Sequence, residues 1–214
     1  MKTRIYFTIL TIILSCTIKL SAQTEWAPTG AKWYYEFPYN NGNAESYITI
    51  ESIGDTVING ISCKILQQEC IRDPYYLNRK YYTYKNDDQV WLYDGSAFRL
   101  LYDFSIQPQS EWTAYGPSLY HMCDTLTNIL VDSVDYEELN GLSFKYMIVS
   151  FPEFGWNFSL CGNEQTRISE KFGSYGFMFP QEECGSDVPA PCMLRCYEDS
   201  EFGYYSTGVD DSCT

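Results

Sequence analysis

The sequence predicts an all-β protein, either a single antiparallel β-sandwich or a partly open, barrel-like sheet, with a disulfide-stapled C-terminal segment. Aromatic residues make up 17% of the 214-residue chain, and such side chains fit pleated, half-buried surfaces. Short alternating runs separated by turn signals recur at spacings of about ten residues, as in sandwiches and barrels. No window carries the i, i+3, i+4, i+7 apolar pattern of a long helix.

The first half of the chain contains a series of predicted strands. Asn59-Gly60 stands between β-branched runs and predicts a two-residue hairpin, because both turn positions require positive φ. Asn86-Asp87-Asp88 and Asp94-Gly95-Ser96 have the composition of tight turns. The predicted strands cover residues 32–37, 47–51, the hairpin 55–61, 79–85, 89–93 and 98–104.

The second half continues the same pattern and contains an internal echo. Residues 132–146 repeat the order acid, hydroxyl, Val, then Asn-Gly, apolar, Ser, x, Lys, apolar that residues 55–65 show. The echo indicates two related hairpins in one sheet system, although Asn-Gly hairpin chemistry alone also produces such a likeness. The predicted strands here are 126–134, 142–151 (joined through Asn140-Gly141), 166–171, 175–179 and 193–197.

The N-terminus has the pattern of a cleavable export signal. Residues 1–4 are basic, residues 5–14 are apolar, and a small-residue exit ends at Ala22. We therefore expect a signal peptide over 1–22 and a single β-rich domain over 23–214. No later segment approaches the 18 apolar residues of a membrane span, so none is expected after cleavage.

The export signal leaves the final location open between the periplasm, the cell surface and the medium. Cys16 follows Ser15, as a lipoprotein signal requires, but the expected Leu is one place too close. Lipid anchoring at Cys16 is therefore the alternative to cleavage after Ala22.

Eight cysteines remain for the exported domain, and an even count outside the cytoplasm predicts disulfides. Their connectivity cannot be read from the sequence. Cys192 and Cys196 have C-x3-C spacing, which also suits a zinc knuckle, but a second knuckle is missing. The disulfide candidates are Cys63, Cys70, Cys123, Cys161, Cys184, Cys192, Cys196 and Cys213.

The charge balance excludes several classes of partner. The formal net charge is −14, which repels phosphate backbones and anionic lipid headgroups, so we expect no nucleic-acid partner. The sequence has no phosphate loop, dinucleotide fingerprint or HExxH helix, and it predicts no cofactor, metal or catalytic residue. His121 is the single histidine and precedes Cys123 by two residues without a nucleophile elbow nearby.

Aromatic side chains are the best candidates for binding. Tyrosine pairs such as Tyr34-Tyr35 and Tyr81-Tyr82 place one ring on each face of a strand, one in the core and one outward. A flat aromatic face would favour a glycan ligand, and a cavity lined with aromatics would favour a lipid. The alternative is a glycan-acting hydrolase that uses paired carboxylates.

Three segments resemble a group of uncharacterised exported proteins of Bacteroidota. They are Gly54-Asp55-Thr56 with Asn59-Gly60, residues 100–104 and residues 194–199. The resemblance implies export and a β fold, without an activity. Proteins of that group usually continue into a C-terminal sorting module for type IX secretion, which this sequence does not show.

The resemblance also implies a modification. Asp followed by Ser or Thr and an aliphatic residue resembles the O-glycan acceptor motif of Bacteroidota, and it occurs at Thr56, Thr125 and Ser133. The motif is short, and hairpin chemistry also accounts for it. If these residues carry glycans, we expect them on exposed turns.

Taken together, these features predict a non-enzymatic binding or structural module of the cell envelope or the medium. Its partner, an unidentified ligand or envelope component, would be a glycan or a lipid.

Overall fold

The computed structural model describes residues 25–37, 47–70, 79–117, 125–151, 165–180, 193–209 and 213. Within them the predicted all-β class is confirmed. The strands are β1 (Lys32–Glu36), β2 (Tyr47–Ile58), β3 (Ile61–Cys70), β4 (Arg79–Asn86), β5 (Gln89–Tyr93), β6 (Phe98–Asp103), β7 (Glu111–Gly116), β8 (Thr125–Leu139), β9 (Leu142–Ser150), β10 (Gln165–Ser169), β11 (Gly173–Ser174), β12 (Leu194–Asp199) and β13 (Gly203–Ser206). Among the described residues, no helix is long and apolar enough to cross a membrane.

The strands form two antiparallel sheets, one of which curves into a half-barrel. The larger sheet has the order β13-β12-β1-β2-β3-β4-β5-β6, and the smaller has the order β11-β10-β9-β8-β7. Side chains from both sheets enter one hydrophobic core. The strands of the larger sheet therefore pack one face into this core and present the opposite face as the outer surface.

Both Asn-Gly pairs form the predicted hairpin turns. Asn59 and Gly60 have φ of 52° and 81°, and Asn140 and Gly141 have φ of 53° and 77°. The hairpins are β2–β3 in the larger sheet and β8–β9 in the smaller one, so the expectation of one sheet system was wrong. The repeated sequence pattern reflects local turn chemistry, and turn chemistry does not determine which sheet a hairpin joins.

The segment 170–180 fills the centre of the core as irregular chain around β11. The expected strand 175–179 is absent from it. Its backbone accepts hydrogen bonds from core side chains instead: the Trp33 indole Nε1 donates to the Phe172 carbonyl at 2.9 Å, and the Tyr102 hydroxyl donates to the Met178 carbonyl. These side chains satisfy buried carbonyls that would otherwise need a strand partner.

Candidate ligand-binding face and cleft

The predicted division of the tyrosine pairs is present in the larger sheet. Tyr35 and Tyr81 are buried in the core, and their neighbours Tyr34 and Tyr82 are partly exposed. The alternation follows from the pleat, which sends successive side chains to opposite faces. The pair Tyr75-Tyr76 lies outside the described residues.

Four aromatic side chains form what we call the outer aromatic face: Tyr84 of β4, Trp91 and Tyr93 of β5, and Phe98 of β6. Tyr84 pairs directly with Trp91, and Tyr93 pairs with Phe98. The Tyr84 and Trp91 rings are stacked with centroids 6.2 Å apart, and the Phe98 ring meets Tyr84 edge-on at 4.8 Å. All four are half-buried, and none belongs to the core cluster of the described residues.

The opposite side of the same strands fixes this face in place. Leu92 and Thr83 are buried, and they alternate along the strands with Tyr84, Trp91 and Tyr93. Thr83 accepts a hydrogen bond of 3.1 Å from the indole of Trp26, which is itself in the core. The outer rings therefore stand on a rigid layer, which lowers the entropy lost when a ligand binds.

The β5–β6 turn holds the rim of the outer aromatic face. The Asp94 carboxylate accepts hydrogen bonds from the amides of Ser96 and Ala97 and from Nε of Arg99, at 2.7–2.8 Å. These bonds, first that of Ala97 and then that of Arg99, hold the pKa of Asp94 well below its usual range. The turn thus keeps Tyr93 and Phe98 in register as a preformed pair.

A cleft of about 320 Å³ opens beside the outer aromatic face where two hairpins separate. Pairing between β3 and β4 ends at Lys64 and Thr83, although each strand continues towards its own hairpin turn. Tyr84 lines both the cleft and the outer aromatic face, whereas Lys64, Thr83 and Lys85 lie on the opposite side of these strands. The cleft is lined by Glu25, Trp26, Asp55, Ser62, Cys63, Lys64, Thr83, Tyr84 and Lys85.

Lysine side chains in the cleft are held by carboxylates. Lys64 Nζ lies 2.5 Å from Glu25 Oε1 and 2.8 Å from Asp55 Oδ1, and Lys85 Nζ lies 2.7 Å from Glu170 Oε1. Burial alone would lower the pKa of Lys64, but its hydrogen bonds with the two carboxylates outweigh burial and raise the pKa. The cleft therefore presents fixed, charged hydrogen-bonding groups beside aromatic rings.

Two cysteines do not form the disulfides that were expected of them. Cys63 and Cys70 are free thiols, and the first is buried in the cleft wall. They lie seven residues apart on one strand, a distance of about 23 Å, so they cannot pair with each other. Burial raises the pKa of the Cys63 thiol, which keeps it protonated.

The expected C-terminal staple is confirmed. A disulfide joins Cys196 of β12 to Cys213, with their Cα atoms 5.7 Å apart. Cys196 is therefore unavailable to the zinc knuckle considered with Cys192. The other disulfide candidates, Cys123, Cys161, Cys184 and Cys192, lie outside the described residues, as do Cys16 and His121.

The expected position of the O-glycan acceptors on turns was wrong. Thr56 lies within β2, and Thr125 and Ser133 lie within β8. Both hairpin ladders extend several residues beyond their turns, which places the acid-hydroxyl-aliphatic motifs in paired strands. Ser133 is exposed there and Thr56 is half-buried.

Comparisons with known proteins do not identify the chain. No protein-family model matches it, and neither a curated protein nor a solved structure matches it. Within the described residues, no group of three or more histidine, cysteine or acidic side chains is arranged to hold a metal ion.

The sequence did not indicate which aromatic residues would share one face. Trp91 and Tyr93 are two apart and so share a strand face by alternation, which could have been noticed. Tyr84 and Phe98 join them only through the pairing of three strands, which the tertiary structure supplies.

Proposed function

We propose that this chain is an exported, non-enzymatic binding module that holds a neutral glycan on its outer aromatic face. The observation that carries the proposal is the cluster of four half-buried aromatic rings on one outward strand face, outside the core. Pyranose rings have apolar C–H faces, which pack on aromatic rings, and hydroxyl groups at their edges, which need hydrogen-bond partners. The four rings offer the first kind of contact, and the hydroxyl groups of Tyr84 and Tyr93 offer the second.

The charge of the chain favours a neutral glycan over the other ligands considered. A net charge of −14 opposes acidic polysaccharides and anionic membranes alike. A lipid would need an apolar cavity, whereas the cleft carries Lys64, Lys85, Glu25 and Asp55. An export signal, if it is cleaved as proposed, would deliver the module to the compartments where glycans are met.

Hydrolysis by paired carboxylates is supported less well. Glu25 and Asp55 both contact the Lys64 ammonium, and their side chains are 53% and 55% exposed. Glycoside hydrolysis needs one carboxyl group protonated while the other is charged. Both carboxylates contact the same ammonium and are about equally exposed, whereas an acid and a base need two different environments.

The proposal is tested by affinity electrophoresis in gels that contain neutral polysaccharides, namely starch, xylan, β-glucan and mannan. Trp91→Ala removes the largest side chain of the face and should weaken binding by about 10–100-fold, the equivalent of about 1.5–3 kcal/mol of lost contact. Tyr136→Ala is the matched control, because Tyr136 is an exposed aromatic residue, 63% accessible, in the smaller sheet.

The electrophoresis distinguishes glycan binding on the outer aromatic face, binding elsewhere or none, and hydrolysis. Retardation by at least one polysaccharide that Trp91→Ala reduces and Tyr136→Ala preserves supports the proposal. Equal binding by both variants, or migration unaffected by all four polysaccharides, contradicts it. Release of reducing sugar ends by the wild-type protein would replace it with the hydrolase alternative.

A further inference from the structure

A lysine and an aspartate meet in the core at the junction of the two sheets. Lys171 lies in the turn after β10 of the smaller sheet, and Asp199 ends β12 of the larger sheet. Lys171 Nζ lies 2.5 Å from Asp199 Oδ2, and the two side chains are 1% and 0% exposed. This pair is separate from the cleft and from the outer aromatic face, and the proposed function does not use it.

The surroundings are unfavourable for a simple ion pair. Phe172, Tyr197 and Phe202 pack around the contact with ring centroids 5.0–6.2 Å apart. Among the described residues, no acceptor other than Asp199 contacts the Lys171 ammonium, which has three N–H groups to satisfy. Burying an incompletely bonded ion pair carries a desolvation penalty that a single contact does not offset. An amide between the same atoms carries no charge and needs only one acceptor.

The contacts of the Asp199 carboxylate are arranged for acyl transfer. Oδ1 accepts hydrogen bonds from the backbone amides of Glu201 at 2.8 Å and Phe202 at 2.5 Å, as in an oxyanion hole. Oδ2 accepts a hydrogen bond from the Tyr197 hydroxyl and contacts Lys171. Burial, and then the bond to Asp199, raise the pKa of Tyr197, so its phenol remains a proton donor.

We propose that Lys171 and Asp199 condense spontaneously into an intramolecular isopeptide bond that joins the two sheets. A proton moves from the ammonium to Oδ2, and the neutral amine attacks Cγ, forming the C–N bond. Negative charge develops on Oδ1, which faces the amides of Glu201 and Phe202. The Cγ–Oδ2 bond then breaks, and Oδ2 leaves as water with two of the three ammonium protons, held by the Tyr197 hydroxyl. The sum is R–NH3⁺ plus R′–COO⁻ giving R′–CO–NH–R plus water, without oxidant or cofactor. Proximity and a dry site favour this direction.

Peptide mapping of the folded full-length protein, reduced and alkylated, tests the bond directly. We expect a branched peptide that contains both Lys171 and Asp199, lighter than its two parts by one water molecule. The contact of Lys64 with Glu25 is an internal control, because it is equally short at 2.5 Å but open to solvent, and its peptides should stay separate. Separate, unmodified peptides for Lys171 and Asp199 would overturn the proposal.

Two variants check the chemistry. Lys171→Met, of similar length, should abolish the branched peptide and restore the mass of the missing water. Tyr197→Phe keeps the ring and removes the donor to Oδ2, so the branched peptide should form at least 10-fold more slowly during refolding. Formation at the wild-type rate would contradict the role given to Tyr197. Because the wild-type map decides whether the bond exists, a variant that fails to fold does not affect that result.

Discussion

Replacing Gly173 by alanine should destabilise the protein far more than the same change in a hairpin turn. Gly173 has φ of +70°, where a β-carbon costs about 1–2 kcal/mol. A Cβ there would lie 3.2 Å from both Cε2 and the hydroxyl oxygen of Tyr102, and 3.3 Å from Cη2 of Trp26. Both rings are buried in the core and cannot move outward freely.

The steric cost can be estimated from the hydrogen bonds that Tyr102 would lose. Its hydroxyl donates to the Met178 carbonyl and accepts from the Ser174 amide at 3.2 Å. Each bond contributes about 0.5–1.5 kcal/mol, so displacing the ring adds about 1–3 kcal/mol. Together with the backbone strain, Gly173→Ala should cost about 2–5 kcal/mol of unfolding free energy.

Gly60→Ala is the matched control for this measurement. Gly60 has φ of +81°, but nothing lies within 4 Å of a Cβ placed there, so only the backbone strain applies. Both substitutions reduce the entropy of the unfolded chain equally, and that effect cancels in the comparison. Urea unfolding of the two variants, with equal m values, gives the difference directly. A loss for Gly173→Ala no larger than that for Gly60→Ala would refute the proposed crowding.

Three further expectations concern the turn beside the outer aromatic face and the cysteines. Asp94→Asn should destabilise the protein at neutral pH. Because the folded pKa of Asp94 is lowered, the deficit should begin to shrink as pH falls below about 4, where the unfolded carboxyl takes up its proton, and should vanish only at the much lower pH at which the folded carboxylate is protonated; a deficit independent of pH in acid-titrated thermal melts would contradict this. Iodoacetamide should label the half-buried Cys70 before the buried Cys63 in the folded protein, as read by mass mapping, and the reverse order would show that the cleft wall opens. Replacing Cys196 and Cys213 by serine should lower the unfolding free energy by about 3 kcal/mol, the entropy of a loop closed over 17 residues; unchanged denaturant midpoints would show that the staple is not needed for stability.

Local patterns in the amino-acid sequence specify the turns and the strand alternation of this protein. Asn59-Gly60 and Asn140-Gly141 specify their turns because few other residue pairs tolerate positive φ at two successive positions. The alternation of Tyr34 with Tyr35 follows from the pleat alone. These features depend on neighbours in the chain, so they can be read without knowing the fold. By the same rule β7 could have been found, since buried Trp112 and Ala114 alternate with exposed Glu111 and Thr113.

Contacts between residues that are distant in the chain depend on how the strands pair and pack. Strand register and sheet packing bring Tyr84 next to Trp91 and Phe98. They also separate β3 from β4, which opens the cleft, and they bury Lys171 against Asp199. Those pairings are set by the total apolar surface that the whole core buries and by the loops that reverse the chain. A local sequence pattern contains information on neither. The sequence therefore determined that the chain would form β-hairpins, and the packing of those hairpins created the surfaces that can act.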